Sequence, residues 1–385
     1  MKLLRIIVKG LPLFKDEIDL CFLATQRVND DQKKSLYHLF SNVYLNFTNG
    51  FIGINASGKT SILKVILLCL KIVNNEPINH IECKSILGEA KSVTFNIYFY
   101  SNKANEICLL KTTIVASKKN FSEIEYSIEN EELYSKKSSE FKIKKSLFDF
   151  AKYDQCLIRN TNEEFLPSDV SIIISRNKKF KENIHIVDML KFTNENILPT
   201  TKNISLDIIS FLDPTIEKLH FDEKGNNILI HLKFKGKEEI ILNNINELNN
   251  YLSSGTIKGI IAFQLVSDIL KDGGYFIIDE IENHFNKEIV VTLLRLFMDG
   301  KLNKNGGIII YSTHYPELLD EYERNDSLFI TRNMNGIAID NLSNILKRND
   351  IKKSDAYESG LMEGTTPSYE AYMKLKKHIS SSIGD

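Results

Sequence analysis

The chain has 385 residues, 43% of them hydrophobic, and a net charge of −1. That supplies one large or two modest domains with a real core and excludes a globally basic nucleic-acid binder. Five scattered cysteines (Cys21, Cys69, Cys83, Cys108, Cys156), odd in number and without C-x-x-C spacing, exclude a disulfide frame or zinc site and are expected as buried free thiols in a reducing cytosol.

In chain order, Leu3–Val8 and Ile18–Leu23 alternate apolar and polar residues around Gly10–Phe14, which predicts a strand pair. Asp30–Phe40 is polar and expected to be helical. Val43–Phe47 and Gly50–Ile54 lead as strands into Gly53-Ile54-Asn55-Ala56-Ser57-Gly58-Lys59-Thr60, a complete G-x-x-x-x-G-K-[ST] loop. Its glycines let the backbone curl so that successive N–H groups point at a nucleotide's phosphates. Lys59 reaches the β- and γ-phosphates in this reading, and the Thr60 hydroxyl suits Mg²⁺. Ser61–Leu70 is an apolar, helix-length stretch whose N-terminus faces the anion.

Beyond that helix, Ser92–Tyr100, Glu106–Ala116 and Ile124–Ile128 are expected as antiparallel strands. Leu147–Tyr153, Ile184–Phe192 and Leu206–Leu212 are expected as helices of an insertion lobe, and His220–Phe234 as a hairpin. Lysines gather at Lys136, Lys137, Lys142, Lys144 and Lys145 and again at Lys178, Lys179 and Lys181. Such runs are ordinarily solvated faces, and DNA contact is the functional alternative.

From Ile240 the pattern returns to a catalytic sheet. Ser253-Ser254-Gly255-Thr256 precedes an apolar helix, a second place where free N–H groups and a helix dipole meet an anion; a plain serine N-cap is the bland reading. Tyr275-Phe276-Ile277-Ile278 is a buried strand ending in Asp279-Glu280. Asp279 is the candidate Mg²⁺ ligand and Glu280 the candidate general base. Ile308–Thr313 is a second buried strand, followed by His314, which is placed to hydrogen-bond the γ-phosphate. The tail 342–385 is polar, with one helix over Ser368–Ile379.

The order of these motifs resembles the nucleotide-binding domains of the ABC/SMC ATPase superfamily. More narrowly it resembles small bacterial AAA family ATPases close to the ATPase halves of overcoming-lysogenisation-defect nucleases and of anti-phage systems. The matching features include Lys2–Phe14, the phosphate loop, Phe165–Asp169, Leu252–Lys258 and Ile278–Asn283. The resemblance implies an α/β P-loop NTPase of ABC/SMC type: a mixed central sheet, an antiparallel β-subdomain and a helical lobe. It implies divisions at 1–145, 146–239, 240–341 and 342–385. It assigns Leu252–Thr256 to the signature, so that Ser253, Ser254 and Gly255 meet the nucleotide of a second copy, and Glu282–Phe285 to a loop facing that copy. ATP is then sandwiched in a head-to-tail homodimer.

The chain also departs from that pattern. Ser254 and Thr256 stand where transport ATPases have glycine and glutamine. Between Thr60 and Asp154 there is no glutamine, so Gln155, 96 residues past Lys59, is the candidate for the Mg²⁺-contacting Q-loop position. Heptads are not sustained and about 190 residues separate Lys59 from Leu252, so no long coiled-coil arm fits.

The implied function is a cytoplasmic ATPase, using ATP and Mg²⁺, whose dimerisation controls a nuclease or toxin effector encoded nearby. Met1–Lys9 is too short and charged for a signal peptide, and no membrane span or membrane contact is expected. Alternatives are an intrinsic nuclease, a transporter ATPase subunit and a non-hydrolysing scaffold. The nuclease requires a late metal site, for which Asp320, Glu321 and Asp340 are only isolated acids. The altered signature argues against the transporter, and the intact motifs argue against the scaffold.

Overall fold

The computed structural model describes residues 1–385 except 121–122, 142–145, 151–155, 160–165, 191–203, 225–226, 284, 349, 363, 366–368 and 384–385. Strands β1 (Lys2–Lys9), β2 (Ile18–Cys21), β3 (Leu36–Phe40), β4 (Val43–Asn46) and β5 (Thr48–Ile52) precede helix α1 (Lys59–Val73). Next come β6 (Val93–Ser101), β7 (Glu106–Asn120), β8 (Glu123–Lys137), β9 (Cys156–Ile158), α2 (Ile173–Phe180), β10 (Ile186–Met189) and α3 (Leu206–Leu212). Strands β11 (Ile216–Lys224), β12 (Asn227–Phe234) and β13 (Ile240–Leu242) lead to α4 (Ser254–Asp272), β14 (Tyr275–Ile278), α5 (Lys287–Met298) and β15 (Ile308–Thr313). The chain closes with β16 (Leu328–Asn333), β17 (Ile337–Asn341), α6 (Leu342–Ile345), α7 (Lys353–Glu358) and α8 (Tyr369–Ile383).

One sheet runs in the order β10-β14-β15-β5-β16-β17. Its pairs are parallel except β16–β17. Every residue of β14, β15 and β5 is buried, as parallel strands covered on both faces must be. Alternate side chains therefore divide between two cores. Phe51, Tyr275, Ile277, Ile308 and Ile310 join the core built on α1, whereas Ile52, Phe276, Ile278, Ile309 and Tyr311 join the one built on α4 and α5.

A second sheet, β2-β1-β6-β7-β8-β9, is antiparallel and contributes to the α1 core. Helix α1 thus lies between two sheets, which explains its run Val65-Ile66-Leu67-Leu68-Cys69-Leu70, buried around the full turn. Each such Leu or Ile contributes about 2 kcal/mol through removal from water. The small sheet β11-β12-β13 covers α3 and the first turns of α4, enclosing a separate core that includes Leu219, Ile230, Leu232, Leu252, Ile257 and Ile260.

Several expected elements take other forms. Of Asp30–Phe40, only Gln32–Ser35 makes a 3-10 turn. Leu36–Phe40 is a strand, because its apolar and aromatic residues pair with β4. The helix expected at Ile184–Phe192 is strand β10 over its described part: Val187 and Met189 point into the core while Asp188 points out, a period of two. Residues 147–148 form a turn, 149 and 150 belong to no helix, and 151–153 lie outside the described residues.

The lobe expected to be helical therefore holds only two short helices among its described residues, α2 and α3, together with strands β9 to β12. Strand β13 belongs to the small sheet, so the catalytic sheet resumes only at β14. The tail is not simply polar: Leu342, Leu346, Ala356, Tyr357 and Met362 are buried in the α4–α5 core. Among the described residues no helix is long and apolar enough to cross a membrane.

Candidate functional site

Strand β5 ends between β15 and β16, and the chain curls through residues 53–58 before α1 begins. A Cβ on Gly53 would stand 2.3 Å from Ser57 Oγ and 2.5 Å from the Thr331 carbonyl oxygen, so no side chain fits there. Ala56 (φ +59°) and Gly58 (φ +100°) are both left-handed, which winds the loop into the kind of turn whose amides can cradle an anion. Ser57 Oγ lies 2.8 Å from Thr331 Oγ1, and that hydroxyl donates to Ile52 O at 3.2 Å. Strand β16 braces the loop from behind.

Strand β15 separates β5 from β14, and because all three are parallel their C-terminal ends open on one side. There Thr60 Oγ1 donates to Asp279 Oδ2 at 2.5 Å, and the Ser312 hydroxyl donates to Asp279 Oδ1. Ser312 Oγ also accepts from the Glu280 amide at 2.7 Å. Glu280 has φ +45°, uncommon outside glycine. A 3-10 turn, Ile281–Asn283, follows it and brings Asn283 back so that its Nδ2 donates to Glu280 Oε2.

His314 Nε2 is 3.4 Å from Glu280 Oε1, and its backbone amide donates to Glu282 Oε1 at 2.5 Å. Glu282 Oε2 is enclosed and has no hydrogen-bond partner among the described residues. Lys59 Nζ donates to Gly53 O at 2.9 Å and Ile54 O at 3.2 Å and lies 3.2 Å from His314 Nδ1. Burial lowers the Lys59 pKa from its ordinary value, while Glu280, Asp279 and Glu282 pull it back up.

These groups face a cleft of about 280 Å³ lined by residues 55–61, Glu280 and His314, with Leu13, Asn333 and Ile337 along one lip. The loop amides and the ammonium suit a polyanion. The Asp279 carboxylate and Thr60 hydroxyl are hard oxygen donors already in contact, a set that fits Mg²⁺.

The structure thus brings together Gly53 to Ser61, Asp279, Glu280 and His314. It does not bring Ser253, Ser254 or Gly255 to the same cleft of the same chain. They sit at the N-terminus of α4, where Ser253 Oγ accepts from Thr256 N at 3.0 Å as an N-cap, with Ser253 and Ser254 exposed. Gln155 and His284 lie outside the described residues.

Within their own chain, Glu282 accepts from the His314 amide and Asn283 donates to Glu280. Thr331, Leu13, Asn333 and Ile337 were not anticipated from sequence, because they reach the loop from elements remote in the chain.

Of the lysine clusters, residues 142, 144 and 145 lie outside the described residues. Lys136 is buried, donates to Asp149 O at 2.8 Å and lies 4.0 Å from the Phe150 ring centroid, so it is unavailable to DNA. All five cysteines are free; Cys69, Cys83 and Cys108 are buried, while Cys21 and Cys156 are partly exposed. The acids of the nuclease alternative have structural partners. Asp320 caps Lys353 and Ser354, Asp340 pairs with Arg332 at 2.6 Å, and Glu321 pairs with Arg295 at 2.9 Å.

No curated protein matches the chain. A family model described as "AAA domain, putative AbiEii toxin, Type IV TA system" matches residues 48–320, a span that begins at β5 and runs past His314. With the phosphate loop, the acidic strand end and the intervening β15 all inside that match, the chain is a P-loop ATPase domain protein and belongs to this AAA family.

Proposed function

We propose that the chain binds and hydrolyses ATP as an ATPase of ABC/SMC type. The observation that carries this reading is the convergence of Lys59, Thr60, Glu280 and His314, from three parallel strand ends, on one cleft beside the phosphate loop, with Asp279 bonded to Thr60 behind them. Loop amides and Lys59 hold the β- and γ-phosphates. Glu280 takes a proton from water aimed at the γ-phosphorus, and His314 donates to a γ-phosphate oxygen while orienting Glu280. Thr60 and Asp279 would hold Mg²⁺, which would supply neutralisation of the phosphate charge.

The Ser253–Gly255 segment, which lies outside its own chain's cleft and exposes both serines, supports a head-to-tail homodimer in which it covers the nucleotide of a second copy. The AAA family description names a toxin–antitoxin setting, which supports control of an effector protein, a nuclease or toxin, by the ATP-bound dimer in the cytoplasm and in anti-phage defence. Turnover of ATP and size-exclusion mass with and without nucleotide test the reading. Hydrolysis lost in Lys59→Ala, with ATP-bound dimers trapped by Glu280→Gln, supports it. Turnover unchanged in both variants rejects it.

A further inference from the structure

The turn after the acidic strand end carries a further carboxylate, Glu282, which does not line the cleft. Ile281 and Phe285 are buried in the core built on α4 and α5, so half-buried Glu282 sits between two anchored side chains. Its Oε1 accepts from the His314 backbone amide at 2.5 Å, which ties the β14 turn to the end of β15. Its Oε2 is enclosed and makes no hydrogen bond among the described residues. Enclosing a carboxylate with one oxygen unused is unfavourable, and departures from local rules of this kind gather at working sites. The next amide along the chain, Tyr315 N, donates to Thr313 Oγ1 at 3.0 Å. Glu282 and Thr313 thus hold consecutive amides on either side of the His314 Cα. The imidazole that this backbone carries bridges the cleft, with Nδ1 3.2 Å from Lys59 Nζ and Nε2 3.4 Å from Glu280 Oε1. One 3-10 turn therefore fixes Glu280 through the Asn283 side chain and His314 through its backbone.

We infer that Glu282 is a positioning residue for hydrolysis: it fixes the His314 backbone so that the imidazole meets Glu280 and the γ-phosphate together. This deepens the ATPase reading above and rests on it. What the position requires is an acceptor oxygen aimed at the His314 amide. Such a bond is charge-assisted and stronger than a neutral one. Misplacing a reacting group by about an ångström costs on the order of a hundredfold in rate. Thr313 still holds the following amide when Glu282 is lost, so the fall in kcat is smaller, about tenfold. Lys59 and the loop amides are not held by Glu282, so KM for ATP stays nearly unchanged.

The test is a double-mutant cycle on the full chain, read by phosphate release from ATP with Mg²⁺ and by KM, with folding checked by circular dichroism. Glu282→Ala removes the acceptor. Glu282→Met removes it while filling the same space, and carries the test if the alanine variant does not fold. Glu282→Gln keeps an acceptor oxygen on a side chain of the same length. Glu282→Ala and Glu282→Met should each lower kcat about tenfold, and Glu282→Gln should stay within about threefold of the unmodified chain. In a His314→Ala background, whose own turnover is the reference, Glu282→Ala should cost less than about twofold, because the imidazole it positions is gone. An equal loss in both backgrounds overturns the proposal, since Glu282 would then act other than through His314. So does a glutamine variant as slow as the alanine one, a rise in KM that matches the fall in kcat, or a loss below twofold in the His314 background. Turnover that is absent from the unmodified chain, or unchanged by Lys59→Ala, would instead reject the ATPase reading, and this proposal with it.

Discussion

Gly53→Ala is the sharpest single perturbation of the phosphate loop. The added methyl would stand 2.3 Å from Ser57 Oγ, 2.4 Å from Thr331 Oγ1 and 2.5 Å from Thr331 O. An ordinary carbon–oxygen contact is roughly 3.2 Å or more, so the overlap approaches an ångström on two sides. The hydroxyls can rotate, but the Thr331 carbonyl belongs to strand β16 and cannot. The loop must therefore lift off β16, losing the 2.8 Å Ser57–Thr331 hydrogen bond.

Overpacking of this kind costs about 1–3 kcal/mol, a drop of several degrees in Tm for a chain of this size. Moving the amides by about an ångström also spoils the cradle, and misplacement on that scale costs on the order of a hundredfold in function. The assay is thermal melting with and without ATP and Mg²⁺. At a hundredfold excess over Kd, ATP stabilises the unmodified chain by about 2.7 kcal/mol. The variant should start lower and show almost none of that rise. A variant that melts within a degree of the unmodified chain and rises equally with ATP would show that β16 does not brace the loop.

Further expectations follow from the same geometry. Glu280→Gln should retain ATP binding and lose hydrolysis by about a hundredfold or more, read by turnover and by accumulation of ATP-bound dimer in light scattering. Asn283→Ala frees Glu280 Oε2 from its amide clamp and should lower kcat by about tenfold with KM for ATP nearly unchanged; an equal rise in KM would argue against a positioning role. Ser253→Ala and Lys59→Ala, each inactive alone, should regain turnover when mixed, because a mixed pair holds one intact composite site; no regain would disfavour the head-to-tail dimer. A thiol reagent should reach at most Cys21 and Cys156 in the native protein and all five cysteines after unfolding. Burial pushes the Cys108 thiol up to about 12 and that of Cys21 to about 11, so thiolate is scarce at Cys21 even where the reagent arrives.

The chemistry of the site was legible in the sequence to the extent that it is local. A phosphate loop is a run of consecutive amides, and the acidic pair at the end of β14 is a run of two carboxylates, so spacing alone identifies both. The braces are not local. Thr331 reaches Ser57 across a sheet whose strand order bears no relation to chain order. Leu13 and Ile337 meet through a bridge between a strand-connecting turn and the final hairpin. Glu282 and Asn283 were visible as residues, but their bonds to His314 and Glu280 depend on the 3-10 turn that swings them back.

The misassigned elements have a common cause. Ile184–Met189 and Leu36–Phe40 are short, and in short segments apolar periodicity does not distinguish strand from helix. Pairing with β14 and β4 then decides. The tail was mistaken for polar surface because its apolar residues are sparse, yet the α4–α5 core takes up several of them.

Helix α4 is shared unequally. Its first turns, Ile257 to Ile261, belong to the small core beneath β11–β13, and its later turns, Ala262 to Leu270, to the core of the parallel sheet. Ser253 and Ser254 therefore sit at the small-core end of α4, which, together with Leu212 of α3 packed against both cores, joins the small core to that of the parallel sheet. In the proposed head-to-tail dimer, the small core would present these serines to a second copy, while α1 and its two sheets hold Lys59.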